Sequence, residues 1–175
     1  DRIRREQEIR NMSVIFNQIE SEILPTLRRG EIAFNFSGVQ KTEQEVARMA
    51  ITNPDNLTFD ELMYAASLTH NYASKLQIYT AATERFASEW AGWNNAGAIA
   101  LYLNQLEDSK RFLETADKLS PNNGMILANL SLMALAYKDV ELADHYVQRA
   151  IEAGNEQAEM NQAIILIKQA RYEEA

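Results

Sequence analysis

Cysteine is absent from this 175-residue chain, which removes disulfides, thiolate metal sites and cysteine nucleophiles and leaves the redox compartment open. No apolar run reaches the roughly 18 uncharged residues that a membrane span requires. The opening DRIRREQEIR is charged where a secretory leader would be apolar. The chain begins at Asp1 instead of Met, as expected of a processed or trimmed protein. Glycine-rich phosphate loops are missing, serines lack a partnered base, and only His70 and His145 stand for imidazole chemistry. Positive charge is scarce as well. Residues 1–55 hold 8 basic and 9 acidic groups and residues 56–175 hold 9 and 16, so the second part repels phosphate backbones and nucleic acid is not an expected partner.

What the chain has is apolar residues, 46% of the total, enough for one or two globular domains, and a repeat. WAGWNNAGAIALYLNQLEDSKRFLETADKLSPNN begins at Trp90, and thirty-four residues later GMILANLSLMALAYKDVELADHYVQRAIEAGN repeats its pattern of large, small and apolar positions. Gly97 aligns with Ser131, Leu106 with Val140, Ser109 with Ala143, Phe112 with Tyr146 and Ala116 with Ala150. Two antiparallel helices pressed together need small residues where their backbones approach and bulky ones between. Asn104-Gln105 and Lys138-Asp139 are then polar turns inside each hairpin, and Ser120-Pro121-Asn122-Asn123 ends the first unit.

On Trp93, Gly97, Ser109, Leu113, Ala116 and Pro121 the unit resembles the tetratricopeptide repeat, with Ala100 where that family has Tyr and Ser109 where it has Ala. The resemblance implies an α-solenoid of stacked antiparallel hairpins over 56–175, divided as 90–123, 124–155 and an incomplete unit at 156–175. In that last unit MNQAIILIKQARYEEA reads as first helix, turn and opening of a second helix, with Ala163 as the small residue. Asn161 follows Asn129 two residues early, which predicts a tighter preceding turn. Residues 56–89 are a degenerate first unit in which Phe59, Leu62, Tyr79, Ala82 and Phe86 keep their places. Thr58 and Glu61 form a capping box there, with Leu57 and Leu62 as a hydrophobic staple.

Residues 1–55 differ. Ile9, Met12, Phe16, Ile19 and Ile23 form one stripe of a helix ending near Leu24, before Pro25, and Ile32, Phe34 and Phe36 alternate as in a half-buried strand over 31–37. That strand needs a partner outside itself. Thr42 and Glu45 cap a short helix through Met49, and Thr52-Asn53-Pro54-Asp55-Asn56 is the expected domain boundary. The expected fold is thus mainly α, a solenoid preceded by a small α/β portion. The helix, Arg28-Arg29 and the strand resemble the closing elements of an OmpA-like peptidoglycan-binding domain, which some envelope proteins of the Bacteroides group join to tetratricopeptide repeats. That resemblance implies an alternative role as a cell-envelope structural protein, periplasmic or outer-membrane-associated.

No catalytic or metal constellation stands out, and the chain is not expected to be an enzyme or to carry a cofactor. Glu141 and His145 offer at most half a metal site and read as an exposed pair one helical turn apart. Glu107-Asp108 and Glu173-Glu174 open second helices, where negative charge suits the dipole. In the tetratricopeptide fold the first helices face the inner, concave side. This places Asn94, Asn95, Ala98, Leu101, Tyr102, Asn129, Leu132, Leu135 and Ala136 in a groove for a protein or peptide partner. No Lys or Arg lies within 90–103 or 124–137, so the family's clamp for C-terminal carboxylates is not expected. Asn95, Asn129 and Asn161, recurring at one position, either bond the backbone of an extended peptide or tie neighbouring helices together. The same surface is open to residues 1–55 or to a second copy of the chain. At the other end Ile164 to Ile167 lack a cover, which predicts a removed or disordered continuation, or a homodimer through that end.

Overall fold

The computed structural model describes residues 41–173. Eight α-helices follow one another there: α1 Glu43–Thr52, α2 Phe59–Leu68, α3 Tyr72–Arg85, α4 Trp90–Tyr102, α5 Leu106–Leu119, α6 Gly124–Ala136, α7 Val140–Glu152 and α8 Ala158–Glu173. Each packs chiefly on its sequence neighbours, and there is no strand among the described residues. The molecule is therefore mainly α and solenoid-like, an architecture compatible with a helical repeat. The expected helix before Pro25 and the strand at 31–37 lie outside the described residues.

Local sequence sets the helix starts. Thr42 and Thr58 each accept the N–H three residues on, from Glu45 and Glu61, whose carboxylates accept the threonine N–H in return at 2.8 Å in both boxes. The helix opened by Thr42 continues past the expected Met49 to Thr52. Inside the hairpins each first helix is followed, two residues on, by a residue in the left-handed region, Asn104 at φ 59° and Lys138 at φ 64°. Asn122 at φ 59° lies in the same region between the hairpins. Such backbone suits Asn and costs more at Lys.

The α4–α5 and α6–α7 hairpins have the anatomy that the repeat implies. A Cβ on Gly97 would lie 2.6 Å from Leu113 Cγ, so the α4 backbone meets a leucine of α5 with no room for a methyl group. Ser109 Oγ donates to the Gly97 carbonyl at 2.9 Å, which satisfies a hydroxyl that is fully buried. Ser131, Ala116, Ala143 and Ala150 are likewise buried. The second helices are amphipathic, with Ser109, Phe112, Leu113 and Ala116 buried on α5 and Ala143, Val147 and Ala150 on α7. First helices sit between their own second helix and the preceding one. Both flanks are thereby buried, and α6 hides Ile126, Leu127, Leu130 and Met133.

Residues 41–55, grouped by sequence with the amino-terminal portion, belong instead with the hairpins. The compact unit begins at Lys41, because Val46 and Ala50 of α1 share one core with Leu57, Leu62, Ala65, Ile78 and Ala82. The expected boundary at 52–56 contains a single 3-10 turn, Pro54–Asn56. Arg85 at the end of α3 holds it by donating to the carbonyls of Pro54 and Leu57. Tyrosines mark the same junction three times. Tyr64 of α2 donates to Glu43 at the start of α1 at 2.6 Å, Tyr102 of α4 stacks on Tyr72 at the start of α3 at 4.0 Å, and Tyr137 after α6 donates to Glu107 in α5 at 2.7 Å. By this pattern α1 stands to α2 as α3 stands to α4, in the place of a second helix.

The last unit departs from expectation. The predicted turn in KQARYEEA is absent, and α8 runs unbroken to Glu173, since Lys168-Gln169-Ala170-Arg171 holds good helix formers and nothing that favours a left-handed residue. The preceding connection, 153–157, is no tighter than 120–123. The two-residue deficit falls within the first turn of α8, which starts closer to its asparagine. Ala163 is exposed, because no second helix lies over it among the described residues, and Ile164, Leu166 and Ile167 are 40%, 54% and 58% exposed. Ile165 alone of that run is buried.

Two measurements probe this packing. Replacing Gly97 by Val overpacks the Leu113 contact and lowers unfolding stability by about 1–3 kcal/mol in urea titration; an unchanged midpoint contradicts the close approach. Hydrogen bonds from the Thr42 N–H and hydroxyl hold the Glu45 carboxyl below the ordinary value of 4.5, and the Lys41 ammonium, with the Thr58 N–H, does so for Glu61. Carboxyls lowered on folding stabilise above their unfolded pKa and lose that contribution as pH falls through the folded one. The Glu45→Gln, Glu61→Gln double variant is thus less stable at neutral pH, and its stability falls less steeply from about pH 5 to about pH 3 than the parent's. Parallel acid limbs contradict the capping account.

Candidate functional site

The recurring asparagines define how the first helices sit beside one another. Asn95 Nδ2 lies 3.7 Å from Met63 Sδ on α2, Asn129 Nδ2 donates to Asn94 Oδ1 on α4 at 2.9 Å, and Asn161 Nδ2 donates to the Ala128 carbonyl on α6 at 3.0 Å and to Ser131 Oγ at 3.3 Å. Each amide therefore reaches back to the preceding first helix at an equivalent place. Of the two sequence readings of these residues, this geometry is that of the tie between helices. Asn94, expected to line the groove, is 2% exposed and engaged with Asn129 on one side and Asn95 Oδ1, at 3.4 Å, on the other. Removing one member of such a buried pair leaves the other unsatisfied, at a cost of about 1–3 kcal/mol.

Equivalent asparagines fix equivalent neighbours. Three residues beyond each come Ala98, Leu132 and Ile164; six beyond come Leu101, Leu135 and Ile167; one before come Asn94, Ala128 and Met160. By helical spacing these positions share one side of their helices. Ala98, Leu101, Leu132 and Leu135 are half-buried, whereas Ile164, Ile167 and Met160 on α8 are 40%, 58% and 73% exposed. A small cleft of about 120 Å³ opens on this side, lined by Met125, Ala128, Asn129, Leu132 and Asn161 together with Asn155 and Gln157. Ala136 is exposed at the end of α6 and Tyr102, 66% exposed, at the end of α4. A hydrogen bond with the Tyr72 hydroxyl raises the Tyr102 phenol above its ordinary range.

Sequence placed Asn95, Ala98, Leu101, Tyr102, Asn129, Leu132, Leu135 and Ala136 on this side of the stack. It missed that Met160, Ile164 and Ile167 continue the rows. The signal was present in the spacing from Asn161, but the expected turn within α8 hid it. It also missed the tyrosine contacts, because an exposed Tyr at the end of an apolar helix has no sequence mark that names its partner.

A larger recess of about 530 Å³ lies elsewhere, between the α3 residues Ala73, Leu76, Gln77, Thr80, Ala81 and Glu84 and the turn residues Leu103 and Gln105. Glu84 is its one ionisable lining residue, which assembles no reaction chemistry. Glu141 and His145 are both exposed on α7. Among the described residues no group of three or more His, Cys, Asp or Glu side chains is placed to hold a metal ion, and no helix is long and apolar enough to cross a membrane.

The class that these features define is a sequentially packed helical stack with a partly apolar side that carries no charge on α4 and α6. No family model matches the chain, and no curated protein matches it.

Proposed function

We propose that this protein is a non-catalytic interaction module of the tetratricopeptide type, which holds a peptide or helix of a partner protein on the side lined by its first helices. One observation carries the reading. The two central first helices, α4 and α6, contain no charged residue, although Tyr102, Met125 and Ala136 are exposed on them. Across the whole chain 24% of residues are charged. An uncharged exposed strip between second helices that carry charges of both signs is how a docking face differs from a solvated one. The 34-residue beat, the Gly97 contact and the buried Ala116 and Ala150 support assignment to the tetratricopeptide type.

A pull-down against a proteome separates the faces. Tyr102→Ser with Ala136→Arg alters exposed positions on the first-helix side, and Leu142→Glu alters the exposed Leu142 on α7. The expected outcome is that partners captured by the parent and by Leu142→Glu are lost, at least tenfold, from the groove variant. Equal capture by all three contradicts the proposal.

A further inference from the structure

We infer that the occupant of this face is an amphipathic helix with an uncharged apolar stripe and basic flanks, an inference that rests on the first-helix side being the binding side. Three observations point to it.

The first is width. The accessible residues from Met160 to Ile167 on α8, from Met125 to Leu132 on α6 and from Asn95 to Tyr102 on α4 each span seven residues of helix, or about 10 Å at about 1.5 Å per residue. That matches the roughly 10–12 Å diameter of a helix and is about twice the spacing that one extended strand occupies. Three first helices, about 10 Å apart, give the strip a length of about 20 Å, which about 13 residues of helix cover.

The second is hydrogen bonding. An extended peptide brings backbone N–H and C=O groups that must find partners on the surface it covers. Here both side-chain N–H groups of Asn161 are taken, by the Ala128 carbonyl and Ser131 Oγ, one of Asn129 is taken by Asn94, and Asn95 is turned to Met63. The rows three and six residues beyond Asn95, Asn129 and Asn161 are alanine, leucine and isoleucine. A helix satisfies its own backbone and asks of the surface only apolar contact.

The third is charge. Residues 1–40 carry 6 basic and 6 acidic groups, so the whole net charge of −8 belongs to residues 41–175, with 11 basic and 19 acidic. None of it lies on α4 or α6. Of the neighbouring elements, α2, α5 and α7 are net acidic, with Asp60 and Glu61, the latter paired with Lys41, at the start of α2 and Glu107 at the start of α5; α3 is net basic and Lys168 stands on α8 seven residues beyond Asn161. A ligand with an uncharged stripe and lysine or arginine on both sides of it complements this distribution, and one with acidic flanks is repelled.

The test measures binding of fluorescent 18-residue peptides to the full chain by anisotropy at physiological salt. The probes are a leucine-striped helix with lysine flanks, the same composition scrambled, the same stripe with glutamate flanks, and the lysine peptide with two central prolines. The lysine-flanked helix is expected to bind at least tenfold more tightly than the other three. Its binding should fall at least tenfold for Ile164→Glu with Ile167→Glu, both exposed positions, and stay unchanged for Leu142→Glu, with unaltered helix content by circular dichroism in each. If the proline or glutamate peptide binds as well as the lysine helix while the isoleucine variant still loses binding, the helix or charge assignment is overturned and the binding side stands. If the isoleucine variant binds like the parent, the binding side itself is wrong. Absence of binding by every peptide overturns the inference.

Discussion

The structure depends on how closely the backbone of α4 approaches α5. At Gly97 there is no space for a methyl group, and at Ser109 a buried hydroxyl closes the gap by bonding the Gly97 carbonyl. An approach this tight buries one flank of the first helix completely, and the preceding second helix buries the other. A helix enclosed on two sides has no place for charge on either, so α4 and α6 are built mostly from Ala, Leu, Gly and Asn, with Trp, Ile and Met among them. Packing accounts for the uncharged flanks, but not for the exposed Tyr102, Met125 and Ala136. The face's remaining polar groups join one first helix to the next.

That chain of causes explains why much of the fold is legible in the sequence. The 34-residue beat is visible because backbone contact tolerates few side chains, and Gly97, Ser109, Ala116 and their counterparts repeat for that reason. The Thr42 and Thr58 caps are legible because a capping box is a local bond that needs no tertiary context. The last helix was misread because family pattern outweighed propensity: KQARYEEA holds no residue that would end a helix, and α8 does not end there. The placement of α1 was misread for a different reason. Pro54 interrupts the chain without separating domains, since Arg85, 31 residues away from it, ties the turn back to the hairpin.

The candidate site divides the same way. Residue types along α4 and α6 located the face, but they could not say which asparagines face a ligand. That depends on the angle and register between successive first helices, and a two-residue slip in α8 changes both. With the register fixed by the Asn95, Asn129 and Asn161 contacts, the open Ile164 and Ile167 of α8 fall in line with half-buried Leu132 and Leu135 on α6 and Ala98 and Leu101 on α4. The amide ladder and the apolar rows then have separate roles, one holding the stack together and the other presenting surface.

The account turns on successive first helices lying side by side in this register, and the absence of native cysteine makes that directly measurable. Cysteines replacing Ala98 and Leu132, equivalent positions on α4 and α6, are predicted to be joined within the monomer by a short bis-maleimide at stoichiometric reagent. A pair replacing Ala98 and Leu142 is predicted to resist it. Cross-linking of the first pair no faster than the second would mean that α4 and α6 are not neighbours in this arrangement, and the face built on them would not exist.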